Sequence, residues 1–195
     1  MIKHLAVGIA LAALLALPVA AAPKDPGKPD MYGNDPHWVK DVLYKCVVYT
    51  SRPEPNMFVR WYGKCVDGVA QGNGQVVWYR NNQFAAKYDG PVVNGMRQGL
   101  GSYYTPAGDR FRVTWVYGIA EGQGEWTYKD GAYLNATFRE GEARGYVTYV
   151  TADKTWYGGD VNGTGKVKLP DGRMTTGRLA YTPWRQPVLT VDQSS

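Results

Sequence analysis

The sequence predicts an all-β chain: a sheet of repeated β-hairpins with one packed and one wetter face, preceded by a short N-terminal helix. Three observations carry this. Beyond residue 21 the chain holds only six Leu (43, 100, 134, 169, 179, 189) and one Ile (119), so its apolar stock is Val, Trp and Tyr, which favour strands. Of the 24 glycines, 21 lie between Gly63 and Gly177, most of them at recurring spacings. Between those glycines apolar and polar residues alternate with period two. A helix bundle is excluded, and no stretch after residue 45 keeps the helical apolar period that a doubly wound α/β fold needs.

Residues 1–21 read as a secretory signal. Lys3 supplies the charged start, Leu5 to Val19 the apolar run, and Val19-Ala20-Ala21 the small residues of a cleavage site. An apolar run of about 15 residues, broken by Gly8 and Pro18, is short for a bilayer span. The expectation is export to the periplasm or beyond, with no transmembrane segment after cleavage. Residues 22–34, rich in Pro, Gly, Lys and Asp, form a flexible lead-in. Residues 35–60 are expected to cap the array with a helix and a hairpin. Asp35-Pro36 offers an N-cap and a first-turn proline, and Trp38, Val39, Val42 and Leu43 share one face of a helix ending near Tyr44. Strands over 46–50 and 57–61 follow, joined by residues 51–56.

Residues 61–179 contain the repeat. Gly63, Gly68, Gly72 and Gly74 are spaced 5, 4 and 2 apart, and Gly90, Gly95, Gly99 and Gly101 reproduce those spacings. The third copy puts Val113 in the first place, followed by Gly118, Gly122 and Gly124, and the fourth runs Ala136, Gly141, Gly145, Val147. A fifth, with Gly158, Gly163 and Gly165, is shortened. Seven residues after the last glycine comes a turn: Arg80-Asn81-Asn82, Ala107-Gly108, Asp130-Gly131, Asp171-Gly172. One apolar column on the outgoing strands holds Val76, Tyr103, Trp126, Tyr149 and Val167; the column on the incoming strands holds Trp61, Tyr88, Phe111, Leu134 and Trp156. Residues 180–195, with Pro183 and Pro187, form an extended tail.

The pattern Tyr-x-Gly-x-aromatic-x-x-Gly-x-x-x-Gly-x-Gly resembles the MORN repeat (membrane occupation and recognition nexus). It stands here as Trp61-Tyr-Gly63-Lys-Cys65 through Gly74 and as Tyr88-Asp-Gly90-Pro-Val92 through Gly101. The resemblance implies an elongated, curled, single-layer antiparallel sheet with one hairpin per repeat, and a non-catalytic role in protein or lipid association. Cys65 departs from it, standing where the family prefers an aromatic. An exported chain whose only cysteines are Cys46 and Cys65 is expected to join them in a disulfide. Such a bond would tie the N-terminal segment over the open end of the array, and repeat arrays need capped ends.

Catalytic constellations are scarce. His37 is the one histidine beyond the signal, no serine sits in a Gly-x-Ser-x-Gly turn, and no Cys/His cluster offers a metal site, so neither metal nor cofactor is expected. Glu121, Glu125, Glu140 and Glu142 fall near the glycine loops and keep a carboxylate-based glycan hydrolase as a minor alternative. The aromatics Trp61, Tyr88, Tyr103, Trp126 and Tyr149 are read first as core and second as an open groove for a peptide, acyl chain or sugar. Lys166, Lys168, Arg173 and Arg178 form a candidate basic patch. The leading expectation is a non-enzymatic envelope scaffold that binds another envelope protein or an anionic membrane surface. The alternative is a cell-wall glycan-binding module using exposed aromatics. A small outer-membrane barrel is a lesser one, disfavoured by the Asp192-Gln-Ser-Ser195 end. Modest, dispersed charge argues against nucleic acid.

Overall fold

The structure, a computed structural model, describes residues 23–32, 34–182 and 185–192. The expected signal, residues 1–21, lies outside the described residues. Among those described, all regular structure is β, and no helix is long and apolar enough to cross a membrane. A short pair comes first, β1 (Trp38–Lys40) and β2 (Val47–Tyr49). Then follow β3 (Met57–Val66), β4 (Val69–Arg80), β5 (Gln83–Val93), the stub β6 (Met96–Arg97) and β7 (Gly99–Tyr104). Next are β8 (Arg110–Val116), β9 (Ile119–Thr127), β10 (Tyr133–Arg139), β11 (Glu142–Val150), β12 (Trp156–Asp160), β13 (Thr164–Lys168), β14 (Met174–Ala180) and β15 (Val188–Val191). They make one open, mostly antiparallel sheet, in which each strand from β3 onward lies beside its sequence neighbour and β6 fringes β5.

Side-chain alternation decides which face is buried. In β8, Phe111, Val113 and Trp115 are buried while Arg110, Arg112 and Thr114 are exposed. Strand β10 does the same with Leu134, Ala136 and Phe138. The two apolar columns interleave across the sheet into one cross-strand row. In order it runs Trp61, Val76, Tyr88, Tyr103, Phe111, Trp126, Leu134, Tyr149, Tyr157, Val167. Every member except Tyr103 is buried, and Tyr103 packs against the same cluster. We call this face inner and the other outer.

Rings and glycines fit together on the inner face. The Trp61 ring covers Gly63 and Gly74, Tyr88 covers Gly90 and Gly101, and Tyr157 covers Gly159 and Gly165. A Cβ at any of these glycines would overlap the ring, so only glycine lets it lie against the backbone. The polar tip of each ring then donates to a carbonyl three residues on: Trp61 Nε1 to Lys64 O at 2.9 Å, Tyr88 OH to Pro91 O at 3.0 Å, Tyr157 OH to Asp160 O at 2.9 Å.

Three expectations are corrected. The helix over residues 35–44 does not form. Asp35 Oδ1 accepts the His37 N–H at 2.9 Å, as a cap would, but only a turn follows, and Trp38 to Lys40 pair with Val47 to Tyr49 as β1 and β2. Sheet pairing and the burial of Trp38 outweigh the weak propensity of a segment too short to nucleate a helix alone; Val42 and Leu43, expected on its apolar face, are exposed. The strands around residues 46–50 and 57–61 are not hairpin partners. Strand β2 pairs antiparallel with β1 and touches β4 in parallel through Val47 and Val69, while β3 pairs with β4. In the shortened fifth copy the expected inner residues Trp156 and Gly158 point to the outer face, and Tyr157 and Gly159 take the inner positions instead. A slip of one residue exchanges the faces of a strand.

Both ends of the sheet are closed by side chains distant in sequence. Cys46 and Cys65 are joined in a disulfide, with Cα atoms 6.0 Å apart, fastening the segment before β2 to β3. A formed disulfide is the usage of an oxidising compartment. Asp41, fully buried, accepts the N–H groups of Leu43 (2.8 Å), Tyr44 (2.5 Å) and Trp61 (2.7 Å), and so covers the outer edge of β3. The C-terminal segment does not dangle. Strand β15 pairs with β14, and Gln186 Nε2 donates to Asp130 Oδ2 at 2.9 Å and to Tyr149 OH at 3.1 Å.

Candidate functional site

Four of the five candidate aromatics are core residues. Trp61, Tyr88, Trp126 and Tyr149 are buried under the sheet's own curvature, so they form no open groove. Their contacts are ring on ring: Phe111 stacks on Trp126 at 4.7 Å and Tyr88 meets the edge of Trp115 at 5.8 Å. Tyr103, the fifth, lines a cavity described below.

The basic residues lie at the C-terminal part of the outer face. Register places Lys168 beside Trp156 and Met174, and Lys166 beside Gly158 and Thr176; Arg178 lies two residues along β14 from Thr176. Lys166, Lys168 and Arg178 are exposed and form no ion pair among the described residues. Arg173 is different: its Nε donates to Asp171 Oδ2 at 2.7 Å within the preceding turn, so its charge is answered locally. Asp160 and Asp192 stand at the rim of this patch, Asp192 bonded to Thr176. The ring of Trp156 lies over Gly158, next to the Tyr146 hydroxyl, and Tyr146 is 60% exposed. Sequence reasoning missed this outward pair because the slipped register hides it.

Beside Tyr146 runs a shallow outer groove of about 770 Å³ lined by Gln123, Asn135, Thr137, Arg139, Arg144 and Thr148, among others. The glutamates near the loops are engaged locally: Glu121 accepts the Glu140 N–H at 2.7 Å, and Glu142 pairs with Arg144 at 2.6 Å.

A second cavity, about 590 Å³, opens on the inner side between residues 50–54 and strands β4, β5 and β7. Its walls include Met57, Trp78, Ala85, Tyr103 and Pro106, with hydroxyls from Thr50, Ser51 and Thr105. Arg97 also lines it, although only 6% of that residue is exposed. The two-residue strand β6 directs it inward, where its guanidinium carbon lies 4.2 Å from the Trp115 ring centre, 5.3 Å from Trp78 and 5.8 Å from Tyr103. One nitrogen, Nη2, donates to Gly118 O at 2.6 Å and to Ser51 Oγ at 3.4 Å; Nε has no hydrogen-bond partner among the described residues. Burial pulls this guanidinium's pKa down. Burial also pushes the Tyr88 phenol up to about 12, against the pull of Arg97, and raises Tyr103 and Tyr49, so no phenolate is there to balance the charge. No motif marks Arg97, whose partners lie 21 and 46 residues away.

No protein-family model matches the chain, and no curated protein matches it closely enough to carry a function across.

Proposed function

We propose that the chain is an exported, non-enzymatic MORN-type repeat module that docks on an anionic membrane surface through the outer face of its sheet. One juxtaposition carries this reading: Lys166, Lys168 and Arg178 share that face with Trp156, Met174 and Tyr146. Lys and Arg beside Trp and Tyr is the residue set of a membrane interface, where rings sit at headgroup level and cations meet phosphates. The glycine spacing and the continuous cross-strand row support the repeat assignment. The apolar leader and the disulfide support export. The local engagement of the Glu121 and Glu142 carboxylates supports a binding role over catalysis.

The test is co-sedimentation of the mature protein with phosphatidylglycerol-containing and with neutral phosphatidylcholine vesicles. Retention is expected on the anionic vesicles alone and should weaken with salt. The triple variant Lys166→Glu, Lys168→Glu, Arg178→Glu should lose about 3 kcal/mol, on the order of a hundredfold in affinity. Equal binding to neutral vesicles, or none to anionic ones, overturns the reading. A second reading, wall-glycan binding, is favoured by the polar groove beside the exposed Tyr146 and the half-buried Trp156. Retention on purified wall material that is lost in Tyr146→Ala would select it.

A further inference from the structure

The inner cavity holds a cation without a counter-ion. A guanidinium buried to this degree ordinarily faces a carboxylate, because burying charge without one is costly. Among the described residues Arg97 has no ion pair; its protein partners are one carbonyl, one hydroxyl and three aromatic faces. The two carboxylates on the cavity wall are engaged elsewhere. Glu54 pairs with Arg80, and Asp109 accepts the Lys129 N–H at 3.1 Å and lies 3.3 Å from the Thr105 hydroxyl. The ring faces hold the guanidinium in place and keep water from it.

We propose that this cavity binds a small organic carboxylate, with Arg97 receiving the carboxylate and Met57, Ala85 and Pro106 flanking an apolar body. One buried cation matches a monoanion, and the planar guanidinium matches the planar carboxylate. The Ser51 hydroxyl, which accepts from Arg97 Nη2, keeps its own proton to donate within the same cavity, whereas Thr50 and Thr105 already donate to Arg52 O and Asp109 Oδ2. The site lies on the inner face, opposite Lys166, Lys168 and Arg178, and is independent of the membrane-docking reading.

The experiment is isothermal titration calorimetry of the mature protein with octanoate, octanol and octylphosphonate. Octanoate is expected to bind with one site per chain and octanol not to bind. Arg97→Met should weaken octanoate by at least about tenfold, the loss of a charge-assisted contact. Ala85→Trp, which fills the cavity and leaves Arg97 in place, should abolish binding with an unchanged circular dichroism spectrum; it serves if Arg97→Met fails to fold. The triple charge-reversed outer-face variant should bind octanoate as the wild type does, which separates this site from docking. Failure of octanoate to bind at millimolar concentration, equal binding by Arg97→Met, or a clear preference for octylphosphonate would falsify the proposal.

Discussion

Gly101 lies under the Tyr88 ring at an ordinary strand conformation, whereas Gly131 stands in open space with φ +87°. The two glycines are needed for different reasons, and alanine separates them. At Gly101 the added methyl overlaps the ring, so the ring or the strand must move, an overpacking cost of about 2 kcal/mol. At Gly131 nothing is struck, and the cost is the left-handed backbone alone, about 1 kcal/mol. Denaturant unfolding should rank Gly101→Ala as the more damaging. Its cost should shrink in a Tyr88→Ala background, since the pair shares one contact. Additive losses would mean that ring and glycine are not in contact. The same scale explains the third repeat position in the first, third and fourth copies. Gly72, Gly122 and Gly145 carry positive φ where the strand register shifts, so they are bulge residues that bend the sheet.

Among the elements, the short pair β1–β2 depends on tertiary ties. It has three residues in each strand, a single parallel bridge to β4, and the disulfide to β3. Replacing Cys46 and Cys65 together by alanine should lower stability by about 3 kcal/mol and expose residues 38–50 to proteolysis before the rest of the sheet. Simultaneous loss of all segments would show that the end pair and the array unfold as one unit. This dependence also explains what was legible in the sequence. Strands β8 and β10 were readable because alternation over seven residues is unambiguous. The first pair was not, since Asp35-Pro36 is a true helix-start signal overruled by partners beyond the segment. Strand β12 was misread by one residue because the doublets Trp156-Tyr157 and Gly158-Gly159 fit the ring-x-Gly pattern in either phase. Of the inner cavity only Tyr103 was legible, as a candidate groove aromatic; Arg97 meets Trp78 and Tyr103 only through strand order and belongs to no motif.

At the scale of the whole molecule, the aromatic core that replaces Leu and Ile carries hydroxyls into the interior, and these set the pH range of the fold. Burial raises the Tyr88 and Tyr181 phenols to about 12 and drives Tyr128 higher still, from the usual 10.0. A raised folded-state pKa means stability that is complete below pH 10.0 and is lost as pH climbs from there through about 12. On the acid side the hydrogen bond from Gln186 lowers the Asp130 pKa, and a bond from Thr151 lowers that of Asp153. Their contribution is present above 3.8 and fades as pH falls through the lower folded values. Both carboxylates are exposed, so solvent screening keeps this part small. The expected profile is therefore flat near neutrality, shallow in acid and steep in alkali. Tyr128 sharpens the test, because its buried hydroxyl has no hydrogen-bond partner among the described residues. Removing an unsatisfied buried group should leave neutral-pH stability unchanged or raise it by about 1 kcal/mol. Tyr128→Phe should also blunt the alkaline loss, since one phenol fewer is left to ionise on unfolding. Denaturant midpoints across the pH range, with tyrosine ionisation followed by absorbance, check both. A variant clearly less stable than the wild type at neutral pH would show that the hydroxyl is held by a partner after all.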